Sequence, residues 1–212
     1  MQIPDASQKV VVLLGLSDRP LPRSHVASIL WPDIEEPRAL GNLRSALWRL
    51  GSLTGGIVDC PGRFLWLARW LVIDYLSLLG LIKRVMAGLN PDRAEVDRLL
   101  DAQDLLPTST DDWVILDRER IRQLRLGALE RLCETLIREQ RLTEAVEVGF
   151  AAAASDPLRE SAHRALITAH LAIGNRGDAI REYKEYRQLL RCELGVAPSD
   201  QMVALVRGLQ AS

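Results

Sequence analysis

The sequence predicts a mainly α-helical chain: a small winged helix-turn-helix followed by an α-helical, tetratricopeptide-like array. Three observations lead there. Shifting the chain by 34 residues lays Leu132, Ala145 and Ala152 onto Leu166, Ala179 and Tyr186, the period at which helical hairpins bury their apolar faces by stacking on neighbours. Helical periodicity runs from about residue 71 to the end. The first third instead joins helical runs to a stretch punctuated by Gly and Pro that reads as a β-hairpin.

The 212 residues suffice for two small domains, and 48% hydrophobic composition allows ordinary cores. We divide the chain into residues 1–70 and 71–212. The longest apolar stretch, residues 64–82, is broken by Arg69, Asp74 and Ser77, and the start MQIPDASQK resembles no signal peptide, so neither a membrane span nor export is expected. Cys60, Cys133 and Cys192 are odd in number and far apart. That pattern suits a reducing cytoplasm without disulfides or structural zinc. The net charge of −1 hides an asymmetry: of 27 basic and 28 acidic residues, eight and six lie in residues 1–70, leaving 19 and 22 for the remainder. A balance of +2 followed by −3 suits a small nucleic-acid module joined to an acidic partner-binding one.

Taken in order, residues 8–17 form an apolar run read as a first helix. A short second helix opens at Pro22, where a proline loses no needed N–H, and runs through Val26, Ile29 and Leu30. Trp31-Pro32-Asp33 makes the turn. A third helix covers residues 37–52, with Glu35 and Glu36 favourably placed at its positive end. At about 100° per residue, Ala39, Leu43, Ala46, Leu47 and Leu50 share one side and Arg38, Gly41, Asn42, Ser45, Trp48 and Arg49 the other, with Arg44 at the boundary. The polar side carries no acid. Its guanidinium groups suit guanine edges or phosphates and its amide suits adenine, on a helix that fits a major groove; a plain solvated face is the alternative reading. Residues 57–60 and 64–67 then pair about a turn at Pro61-Gly62-Arg63, which places Arg63 at a wing tip, within reach of a phosphate or the minor groove, or simply in solvent.

Several segments resemble one family: Leu30-Trp-Pro-Asp33, the run RALGNLRSALWRL from Arg38 to Leu50, Asp112-Trp-Val with ERIRQLRLGALE up to Glu130, DPLRESAHRAL from Asp156 to Leu166, and RCELGVAP from Arg191 to Pro198. In order and spacing they are similar to bacterial transcriptional activators of the antibiotic-pathway regulator (SARP) type. Those proteins join an OmpR-type winged helix to a tetratricopeptide-like bacterial transcriptional activator domain. The resemblance implies that residues 37–52 are the recognition helix, with Arg38, Asn42, Arg44, Ser45 and Arg49 in its DNA-facing region. It also implies binding to repeated promoter sites in double-stranded DNA as a homodimer, and recruitment of RNA polymerase. Family members usually begin with an antiparallel sheet before the first helix, whereas this sequence starts almost at the helix, as either a truncated start or a shortened member would. Without that sheet the wing hairpin is expected to lack a packing neighbour, and an isolated hairpin is only marginally stable.

In the remainder, residues 74–86 and 91–103 read as a degenerate helix pair, and residues 106–112 as a loop into a long helix ending at Arg138. Residues 143–154, 157–173, 176–194 and 198–209 complete the stack. Ala145 and Ala179 are the small residues that let paired helices approach, with Tyr183 and Tyr186 filling the adjoining gaps. Leu132, Leu136 and Leu166 are core. The mixed charges of the long helix, Arg118 to Arg138 among Asp117, Glu119, Glu130, Glu134 and Glu139, read as a solvated face with weak ion pairs, with a partner groove or a dimer surface as the alternatives. His25, His163 and His170 read as satisfied structural residues and Cys133 as a buried hydrophobe.

No phosphate loop, nucleophile elbow or metal-ligand spacing occurs in the sequence, so no enzyme, cofactor or metal is expected. The combined expectation is a cytoplasmic, sequence-specific DNA-binding activator of transcription. The rival is a helical-repeat interaction adaptor whose degenerate winged helix only packs against the array. A small-molecule sensor using the array groove is a third class.

Overall fold

A computed structural model of the chain describes residues 3–17, 19–54 and 56–207. Among them are ten helices and three short strands. The chain is mainly helical, and it divides after Leu78 into two compact units, Met1–Leu78 and Leu79–Ser212.

In the first unit, α1 (Asp5–Leu16) opens behind Pro4, and Asp5 sits in its first turn, where a carboxylate meets the positive helix end. Strand β1 (Leu21–Pro22) leads into α2 (Arg23–Leu30), and α3 (Glu36–Thr54) follows the Trp31 turn. Two strands, β2 (Val58–Asp59) and β3 (Phe64–Leu67), form the hairpin. The sheet order is β1-β3-β2, antiparallel throughout, with Leu21 opposite Leu65 and Val58 opposite Leu67.

Two expectations are corrected here. Pro22 does not open the second helix; it is extended and pairs with Phe64, and the helix begins at Arg23. An edge strand tolerates a proline because no ladder donor is needed on its outer side. The hairpin also has a neighbour after all: β1 supplies a third strand, and the Arg23 N–H continues the pairing by donating to the Arg63 carbonyl at 2.8 Å. Leu21 and Leu65 are buried with Val10, Leu13, Leu14, Val26, Ala39, Leu43, Ala46 and Leu50, so sheet and helices share one core.

The second unit takes up α4 (Asp74–Met86) from its residue Leu79. Next comes α5 (Arg93–Leu100), which starts two residues later than expected because Asp92, not Pro91, caps it: Asp92 Oδ1 accepts from the Glu95 N–H at 2.8 Å while Glu95 reaches back to the Asp92 N–H, a reciprocal capping box. The long α6 (Asp112–Arg138) packs on α7 (Leu142–Ser155), α7 on α8 (Glu160–Ala172), and α8 on α9 (Arg176–Glu193). Helix α6 also touches α8, and α10 (Asp200–Arg207) closes against α8 and α9. The expected last helix extends to residue 209, and its final two positions lie outside the described residues.

All six residues of the 34-residue register are in the core, Tyr186 being the most exposed of them at 2%. Gly149 marks the tightest approach: a Cβ there would stand 3.0 Å from the Leu166 Cα and 3.4 Å from the Cys133 Sγ. At the far end Tyr183, Tyr186 and Leu190 pack with Ile167, Ala179, Met202 and Val206.

Candidate nucleic-acid interface

The placement of α3 follows from its own periodicity and one long-range bond. Ala39, Leu43, Ala46 and Leu50 are each no more than 2% exposed, and Leu47 is half-buried. The fully buried Ser7 hydroxyl of α1 donates to the Ala46 carbonyl at 3.1 Å. A small polar residue lets α1 lie close across α3, and its hydrogen bond sets where along α3 the crossing falls.

The opposite side of α3 faces solvent. Arg38, Arg44, Ser45, Trp48 and Arg49 are exposed, Gly41 is half-buried and bare of a side chain, and Asn42 is half-buried at the margin of the core stripe. Among the described residues no carboxylate pairs with Arg38, Arg44 or Arg49. The three guanidinium groups thus stand uncompensated on one helix, a geometry matched to phosphates and guanine edges. The Ser45 Oγ donates back to the Gly41 carbonyl at 3.1 Å, so its proton is spent within the helix.

At the hairpin, Gly62 adopts φ of 62°, the left-handed backbone that a side chain resists, which makes it the natural pivot of the turn. Arg63 follows it and is exposed. The sequence alone did not single out Arg23, which anchors this turn: its Nε donates to the Gly62 carbonyl at 3.2 Å, beside its own backbone bond to Arg63. Residues 39 and 40 positions apart carry no sequence signal for such a clamp. Arg38, Arg44, Ser45, Arg49 and Arg63 therefore all stand open on the first unit, and Asn42 is the most enclosed of the six.

The second unit carries a different kind of polar chemistry. Two arginines of α6 depart from the expected solvated face. Arg125 donates to the Leu99 and Leu100 carbonyls, both at 2.7 Å, and Arg118 to Leu105 at 2.8 Å, Ser109 at 2.9 Å and Leu106. They satisfy the carbonyls left open at the end of α5 and along the loop after it. Arg120 and Arg131 do follow the expectation, with i,i+3 ion pairs to Asp117 and Glu134.

His163 is buried and fully engaged, its Nδ1 bonded to Glu182 Oε1 at 2.6 Å and its Nε2 to the Pro157 carbonyl at 2.8 Å, with its ring stacked 4.1 Å from Tyr186. His170 corrects the expectation of a satisfied ring, because its buried Nδ1 has no partner. Cys133 is a core thiol between the Ala145 and Ala165 carbonyls, and burial pushes its pKa up to about 12, far from a reactive thiolate at neutral pH. No described helix is long and apolar enough to cross a membrane.

Comparison with known proteins agrees with this architecture. Among solved structures, EmbR of Mycobacterium tuberculosis, in a complex with a low-affinity phosphopeptide, matches with a TM-score of 0.71 at 18% identity. The match covers 100% of this chain and 60% of that one; at that identity it establishes the shared fold. No curated protein matches the chain in sequence. The model of the bacterial transcriptional activator domain, a family of transcription regulators and not of enzymes, matches residues 99–210. With α6 to α9 stacked in the 34-residue register and more than half of the chain matched, this protein belongs to the bacterial transcriptional activator domain family.

Proposed function

We propose that the chain is a sequence-specific DNA-binding activator of transcription that works in the cytoplasm. The observation that carries this reading is the outer side of α3, where Arg38, Arg44 and Arg49 have no carboxylate partner among the described residues, on a helix clamped from behind by Ser7. The helix enters the major groove of double-stranded DNA, and Arg63 at the wing meets a phosphate or the minor groove. Phosphate contacts set affinity, while side chains among Arg38, Asn42, Arg44, Ser45 and Arg49 discriminate sequence. Residues 1–70 act as the DNA-binding domain and residues 71–212 as the activator domain.

A single small module gives few base contacts, so protomers pair as a homodimer on repeated promoter sites and recruit RNA polymerase there. The pairing of β1 with β3 removes the physical reason for a degenerate winged helix, which favours this reading over a pure adaptor. Selection of bound genomic fragments, followed by anisotropy titrations at several salt concentrations, tests it. Enrichment of spaced repeats, a salt slope of about −0.9 for each phosphate neutralised, and weaker binding by Arg38→Ala and Arg49→Ala are expected. No enrichment, or binding indifferent to both arginines, overturns it.

A further inference from the structure

Trp48 is 74% exposed. A solvated indole on a helix is unfavourable, and the position of this one is specific. At about 100° per residue it lies roughly 170° from the centre of the buried stripe of Ala39, Leu43, Ala46 and Leu50. It therefore forms the outermost ridge of α3, with Arg44 on one flank and Ser45, Arg38 and Arg49 on the other.

The surroundings leave it as the leading contact of its stripe. One turn and two turns towards the N-terminus stand Arg44 with Ser45, and then Gly41, over which the Arg44 guanidinium folds: a Cβ at Gly41 would meet Arg44 Nη2 at 4.0 Å. Helical side chains lean towards the N-terminus, so the indole leans over this low ground. Ser45 donates to the Gly41 carbonyl and Ser52 to the Arg49 carbonyl at 2.9 Å. Both hydroxyl protons on this face are thus spent on the helix, and its outermost ridge is the indole with the Arg44 guanidinium beside it.

We propose that Trp48 is a specificity-determining residue that reads thymine 5-methyl groups in the major groove, while the flanking arginines hold the phosphates. The thymine methyl is the apolar group that an unmodified major groove displays, and covering it with the indole removes both from water. This inference rests on the DNA-binding reading above.

The test uses the full chain and duplexes recovered from a randomised pool, each remade with single thymines replaced by uracil, which lacks only the methyl. Wild type is expected to lose about fourfold in affinity where one contacted methyl is removed. Trp48→Phe keeps that discrimination, since it retains an apolar ring without the indole N–H. Trp48→Ala binds thymine and uracil duplexes alike. Because the side chain is exposed, neither variant disturbs the core.

Uracil tolerated at every position by wild type overturns the proposal, as does the same thymine preference in Trp48→Ala. A Trp48→Ala loss that is uniform across all duplexes and shared by Trp48→Phe overturns it too, and assigns the indole N–H to a phosphate. In those cases Arg38→Ala and Arg49→Ala still weaken binding, and the DNA-binding reading stands. If the pool yields no enriched duplex, both readings fall.

Discussion

Ser7 shows how much one side chain controls. Its hydroxyl bonds the Ala46 carbonyl from a position with no solvent access, while that carbonyl sits within α3. Ser7→Ala should therefore lower stability by about 1 kcal/mol, the net worth of one buried hydrogen bond, and should weaken the proposed DNA binding by more than that loss of folded protein explains. Denaturant titration alongside anisotropy separates the two, and unchanged values in both would remove Ser7 as the clamp on α3. The cysteines behave just as individually. Cys60 and Cys192 are exposed, whereas Cys133 is buried and its thiol is pushed up to about 12. Mass spectrometry after alkylation at neutral pH is expected to show two labelled thiols in the native chain and the third only in denaturant. Labelling of Cys133 under native conditions would mean that the seam between α6 and α7 opens readily.

At the scale of elements, the approach of α7 to α8 is governed by Gly149. Alanine in a helix is worth about 1 kcal/mol over glycine, yet the added methyl would press on the Leu166 Cα, a backbone atom that cannot swing aside. Gly149→Ala is expected to be destabilising by about 1 kcal/mol net, overpacking outweighing propensity. A raised denaturation midpoint would show that the helices can separate without loss. The hairpin depends in the same way on local backbone geometry. Gly62→Val forces a branched side chain into φ of 62°, and Arg23 then loses the carbonyl geometry it grips. On the proposed DNA-binding reading, affinity is expected to fall while the thymine preference proposed for α3 survives; loss of that preference would mean that the hairpin positions α3.

Over the whole molecule, acid is expected to reduce stability through a set of surface carboxylates. Hydrogen bonds from Arg84, Arg122, Arg141 and Arg93 hold Glu95, Glu119, Glu144 and Glu147 below the usual carboxylate range. A carboxylate with a lower pKa folded than unfolded contributes its full stabilisation above the unfolded value, and loses it as pH falls through the folded one. Denaturation midpoints should thus hold near neutrality and decline from about pH 4.5 downward, each pair adding little because it is exposed. Replacing Glu144 and Glu147 together with glutamine should flatten that decline; a midpoint independent of pH would show that these pairs contribute nothing. The two faces of α3, the register of Leu132 with Leu166 and of Ala145 with Ala179, and the hairpin about Gly62 were all legible in the sequence, because periodicity and turn chemistry are local and survive as pattern. The third strand at Leu21–Pro22, the Ser7 bond to Ala46, the Arg23 grip on Gly62 and the Arg118 and Arg125 caps were decided only by tertiary structure. Each joins segments apart in sequence through one or a few contacts, and contacts without a period leave no trace until the chain has folded around them.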